Sequence, residues 1–274
     1  MALTAIVLLA SGCGGTADKM RRDYVALRYL EDAVVAIQNR PVDRPGAIRA
    51  LRRALELAPQ DPTISTTAPG LCVTLGLYSE GLDLLRAQDA PDRWLLAQCL
   101  LQTGHVEEGT RMLLDLANSA QAADRGAPGQ SAVVAMQLNN AGYMLADAAV
   151  QLPAALAMLE RATDTLPLDA NCIDSLGWVH YRLGQFREAI FYLERAVRLQ
   201  TGPRQPDLYY HLGAAYAAMG RHQRARAMLK VALKLDPHHP ETLQAMDKLR
   251  WLLPPLSLAS ADKDSRGGAR GTGA

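Results

Sequence analysis

Between Pro206 and His239 the chain places Tyr209, Leu212, Gly213, Tyr216, Ala225, Leu229, Ala232 and Pro237 at positions 4, 7, 8, 11, 20, 24, 27 and 32 of a 34-residue unit. The preceding unit, Ala170 to about Leu199, sets Ile173, Leu176, Gly177, His180, Ala189, Leu193 and Ala196 at the first seven of those positions. A third unit before it has Leu138, Ala141, Gly142 and Leu145 followed by Ala155, Leu159, Ala162 and Pro167, with one extra residue between its helices. Such self-similarity constrains the fold more than composition can. Each unit is too small to bury its own apolar face and must stack on its neighbours. Glycine and alanine fall where two antiparallel helices would cross, the large apolar residues fill the space around the crossing, and the closing proline ends the second helix. Pro153 suits the first turn of its helix. The insertion within Gln200-Thr201-Gly202-Pro203-Arg204-Gln205-Pro206 reads as a loop.

The amino-terminal half is more degenerate. Ala47, Leu51, Ala54 and Pro59 repeat positions 20, 24, 27 and 32, behind a helix expected from about Lys19 to Asn39. Gly76 to Gly81 and Gly104 to Gly109 look like inter-helix turns, with Gly81 and Gly109 in the place of the small alanine. Pro69-Gly70 falls inside an expected first helix and predicts that this helix is shortened or broken. The domain reading is a leader at 1–12, a short linker at 13–18, three degenerate units over 19–117, a loop or hinge at 118–130, and three regular units over 131–239. A capping helix follows at 240–254, where Leu243, Met246, Leu249, Trp251 and Leu252 can cover the last unit, and then a disordered tail at 255–274.

These residues resemble the tetratricopeptide-repeat (TPR) family over roughly 19–253, most specifically over 138–239. The resemblance implies an all-α fold, a right-handed superhelical solenoid of helix-turn-helix units closed by a carboxy-terminal capping helix. It also implies a non-catalytic protein that binds a peptide segment or helix in its concave groove. In the family, first-helix positions 2, 5, 6, 9, 12 and 13 face that groove. Carried over, they are Asn139, Asn140 and Tyr143 in the fourth unit; Asn171, Asp174, Ser175, Trp178, Tyr181 and Arg182 in the fifth; and Asp207, Tyr210, His211 and Ala214 in the sixth. Aromatic anchors and amides suit a peptide backbone. Trp178, off the repeat core, is expected to stand exposed in the groove unless a neighbouring repeat covers it. The family's clamp for acidic chaperone tails needs lysines where this chain has Asp174, Asp207 and Asn139, so that ligand is disfavoured.

The amino terminus carries a separate message. Ala2 to Ala10 is apolar and too short to span a bilayer, and it ends in small residues before a cysteine. Leu9-Ala10-Ser11-Gly12-Cys13 resembles the lipobox of bacterial lipoproteins. That resemblance implies lipidation of Cys13 and, with Gly14 rather than Asp following it, an outer-membrane protein facing the periplasm. Asn139 to Asp147 and Asp174 to Trp178 likewise resemble TPR proteins of Gram-negative bacteria, many of them envelope lipoproteins. The family's leader has Lys or Arg before the apolar run, and Met1-Ala2-Leu3-Thr4 has none. The alternative therefore stays open: an ordinary apolar first helix on a cytoplasmic TPR adaptor without lipid.

A formal net charge of +1 gives no electrostatic footprint for nucleic acid. The histidines and the four cysteines lack zinc-type or C-x-x-C spacing, so no metal or cofactor is expected. No phosphate-binding, dinucleotide-binding or nucleophile-elbow motif occurs. Export would permit a Cys72–Cys99 disulfide, which spacing alone does not decide. The expected partners are a protein or peptide and, through Cys13, a membrane; the sequence leaves the oligomeric state open.

Overall fold

A computed structural model describes residues 14–124 and 129–252; the leader, Cys13 and the tail lie outside the described residues. The described residues form helices only: α1 (Gly14–Gln38), α2 (Arg44–Leu57), α3 (Pro62–Thr74), α4 (Tyr78–Arg86), α5 (Arg93–Gln102), α6 (Val106–Ala123), α7 (Gln130–Asp147), α8 (Leu152–Thr165), α9 (Ala170–Arg182), α10 (Phe186–Leu199), α11 (Pro206–Ala218), α12 (His222–Leu235) and α13 (Pro240–Leu252). Consecutive helices pair as six hairpins, each packed on the next, with α13 closing the stack. This is the α-solenoid that the repeat pattern implies.

The regular units share one contact. A Cβ on Gly142, Gly177 or Gly213 would lie 2.7–2.8 Å from a side-chain carbon of Leu159, Leu193 or Leu229, the fully buried leucine of the partner helix. Gly81, at the degenerate unit's small-residue position, abuts Cys72 and Cys99 instead. All three described thiols are free and buried, and burial pushes Cys72 up to about 12, Cys99 to about 11 and Cys172 to about 12. Asp61, Asp92 and Asp169 each start a first helix by accepting bonds from the backbone N–H groups two and three residues on.

Several boundaries differ from the sequence reading. Helix α1 begins at Gly14, so residues 14–18 are helical rather than a linker: the Gly14-Gly15 pair suggests a turn, but Thr16 to Arg22 continue α1 with their side chains exposed. Helix α6 runs to Ala123, six residues into the expected loop, because alanines dominate that stretch and Ala117 and Ala120 are buried against the array. In α13, Leu249 is buried and Ala245 and Met246 pack beside it, while Leu243 is 45% exposed.

Pro69 does not break α3, which runs unbroken from Pro62 to Thr74. A proline here removes the N–H that would bond the Ser65 carbonyl one turn back. The Gln88 side chain, from the linker after α4, donates to that same carbonyl at 2.8 Å. The substitute bond lies within the chain's own packing and predicts a modest local dependence: Gln88→Ala should cost about 1 kcal/mol in chemical denaturation, because it leaves that carbonyl unsatisfied.

The stack curls until its ends meet. Val42, in the α1–α2 link, donates to the Leu235 carbonyl at the end of α12 (2.8 Å). Arg44 binds one oxygen of Asp236 through Nε (3.1 Å) and Nη2 (2.8 Å), and Asp236 is 1% exposed. The first unit is thereby clasped to the last, an arrangement that no local sequence pattern announces.

Candidate protein-binding groove

The first helices α7, α9, α11 and α13 lie side by side, and contacts between their inner side chains make one continuous surface. His211 on α11 sits 3.0 Å from Asp174 on α9. His239, just before α13, reaches Asp207 on α11 through Nε2 (2.9 Å) and Glu241 through Nδ1 (3.3 Å). The ring of Tyr143 on α7 lies 6.0 Å from His211, and Tyr210 lies 5.7 Å from His239.

Trp178 does not stand exposed at this surface; it is 2% exposed and forms the centre of a stack. Tyr181 covers one ring at 4.7 Å and 9°, His211 stacks at 4.2 Å and 21°, Tyr210 lies tilted at 5.8 Å, and the Arg182 guanidinium sits 5.7 Å from the ring centroid. The reason is lateral: position 6 of the next unit carries a flat ring, His211, which a reading of one unit at a time does not bring to Trp178. Ser175 and His211 are buried as well. Asn140, Asn171 and Asp207 remain exposed, while Asn139, Tyr143, Asp174, Tyr181, Arg182 and Tyr210 are half-buried.

The same surface holds residues that the carry-over missed. Asp147, at position 13 of the fourth unit, bonds Gln102 (2.9 Å) and was available by counting on from Tyr143. Glu241 becomes legible once α13 is treated as a seventh first helix.

Electrostatics tie the surface together. Burial pushes Tyr143 well above the ordinary phenol range, helped by Asp147, Asp207 and Asp174. Burial and then Asp147, Glu241 and Asp207 push Tyr78 up to about 12. Tyr210 also rises to about 12, through burial, Tyr181, Glu241 and Asp147, against the opposing charge of Arg182. Desolvation opposes ionisation of Asp207, yet the hydrogen bond and charge of His239, with His211 and Arg44 behind it, hold its carboxyl below the usual range.

Desolvation likewise opposes a charge on His211, but Asp174, by charge and hydrogen bond, outweighs it and raises the imidazole above 6.5. A raised folded-state value contributes stability that is full below the unfolded value near 6.5 and is lost as pH rises through the folded one. Asp174→Asn should therefore flatten the decline in stability above about pH 6.5, read from urea midpoints across pH against the wild type.

Residues 175–240 match the tetratricopeptide repeat family. The helix pair before that segment, α7 with α8, repeats its packing, with Gly142 against Leu159. That segment carries tetratricopeptide repeats within a stack of like helix pairs. The chain is 26% identical over 198 residues to a bovine (Bos taurus) BBSome complex member, BBS4, covering 72% of this chain and 37% of the relative. It is 37% identical over 81 residues to a TPR repeat-containing protein of Pseudomonas aeruginosa, covering 29% of this chain and 13% of the relative. The chain thus spans well under half of either relative. A tetratricopeptide repeat protein of known structure from Parabacteroides merdae is 14% identical, with a TM-score of 0.48, over 84% of this chain and 87% of that one. TPR arrays are protein–protein interaction scaffolds, and this chain has their fold. Among the described residues no group of three or more His, Cys, Asp or Glu could hold a metal ion, and no helix is long and apolar enough to cross a membrane.

Proposed function

We propose that this protein is a non-catalytic scaffold or assembly factor of the bacterial cell envelope, held at the outer membrane by lipid on Cys13 and binding a segment of its partner in the groove of α7, α9, α11 and α13. The observation that carries the groove reading is the continuous surface from Tyr143 to Glu241, where aromatic rings, imidazoles and carboxylates from four successive first helices meet. A surface of that composition suits peptide recognition, rings serving as anchors and polar groups meeting the backbone. The envelope reading is supported by Leu9 to Cys13. Helix α1 starts at the residue after Cys13, so an acylated cysteine would hold the array close against the bilayer. Stable anchoring by lipid takes more than one acyl chain, as a lipoprotein cysteine carries.

The test is a cross-linked pull-down from native membranes with the wild type beside Cys13→Ser, together with mass spectrometry of the amino terminus. An acylated Cys13 and a membrane partner lost in Cys13→Ser agree with the proposal. An unmodified Cys13 with the same partner in both would replace it with the second reading, a cytoplasmic TPR adaptor without lipid.

A further inference from the structure

The charges around the groove are unequally satisfied. The basic side chains there are engaged: Arg44 on Asp236, His211 on Asp174, His239 between Asp207 and Glu241, and Arg182 against the Trp178 ring. Two carboxylates are not enclosed by these contacts, since the Asp207 and Glu241 side chains remain 57% and 56% exposed. Asp147 adds a third negative charge that acts on Tyr78, Tyr143, Tyr210 and His211 alike. A second observation is independent of charge. The indole of Trp178, enclosed among Tyr181, Tyr210, His211 and Arg182, has no acceptor for its N–H although the residue is 2% exposed. A buried donor left unpaired is costly, and a carbonyl brought in by a ligand would relieve it.

We infer that the groove takes an extended segment of a protein partner that presents a Lys or Arg side chain to Asp207 and Glu241, beside the rings of Tyr143 and Tyr210. The inference rests on the groove reading above and adds the chemistry of the occupant. Carboxylates stabilise the cation directly, and tyrosine faces attract it through their quadrupoles. An acidic segment meets the same carboxylates with like charge.

The experiment measures fluorescence anisotropy of labelled twelve-residue peptides, matched in length and apolar content and rich in Arg/Lys, Asp/Glu or Ser/Asn, against the full chain and its Asp207→Asn/Glu241→Gln variant. A variant with Glu160→Gln and Glu188→Gln, exposed on the second helices α8 and α10, serves as a control. The expected result is that basic peptides bind at least about tenfold tighter than the others, and that the groove variant loses about tenfold while the outer variant loses nothing. Circular dichroism of the variants checks the fold. Tighter binding of acidic or neutral peptides overturns the basic occupant but keeps the groove. No binding of any class overturns both, as does equal loss in the outer variant.

Discussion

Arg44→Ala should destabilise the protein by about 3 kcal/mol or more, although it changes one residue at the start of one helix. Among the described residues, Arg44 is the cation paired with Asp236, which is 1% exposed and also accepts a backbone N–H from His238 at 3.0 Å. Removing it leaves a buried carboxylate uncompensated in a site that water does not reach. Asp236→Leu together with Arg44→Met should cost much less, since neither charge is then buried alone. Urea denaturation measures both. Small-angle scattering adds a second reading, because loss of the clasp should let the first unit move away from the last and raise the radius of gyration. A cost under about 0.5 kcal/mol, the range of an exposed pair, would mean the ends are not joined in solution.

Gly177→Ala should destabilise by about 2 kcal/mol, while the same substitution at Gly70 should stabilise by about 0.5–1 kcal/mol. Both glycines are helical, and alanine is the better helix former at each. At Gly177 the new Cβ meets Leu193 Cγ at 2.7 Å, Cδ2 at 3.0 Å and the backbone nitrogen at 3.2 Å, so α9 and α10 must separate. At Gly70 it meets only Leu95 Cδ1 at 3.9 Å, ordinary contact. Opposite signs in the two denaturation curves would assign the effect to helix crossing; matching signs would remove the crossing as the reason for the repeat's glycine.

The regular units were legible because their pattern is local: Gly142, Gly177 and Gly213 each answer to a leucine on the same hairpin. What stayed hidden depends on residues far apart in sequence. Pro69 reads as a breaker until Gln88 is seen on the Ser65 carbonyl. Trp178 reads as either exposed or covered by a neighbouring repeat, and His211 of the next unit decides it. The clasp between Arg44 and Asp236 follows from accumulated curvature, which no single unit encodes. At the groove, the repeat register brought most of the nominated side chains to one surface, yet it could not separate those that bind their neighbours, such as Asp174 and His211, from those left facing solvent, such as Asn140 and Asn171.

The central claim is that partners meet this protein in the groove of the first helices. Photo-cross-linking tests it most directly, with the reactive side chain placed in turn at Asn140 and Asn171 inside the groove and at Glu160 and Phe191 on the second helices, all exposed positions. In native lysate or membranes the account predicts the same partner adduct from Asn140 and Asn171 and none from Glu160 or Phe191. Adducts confined to Glu160 and Phe191 would contradict it and move the interface to the outer face.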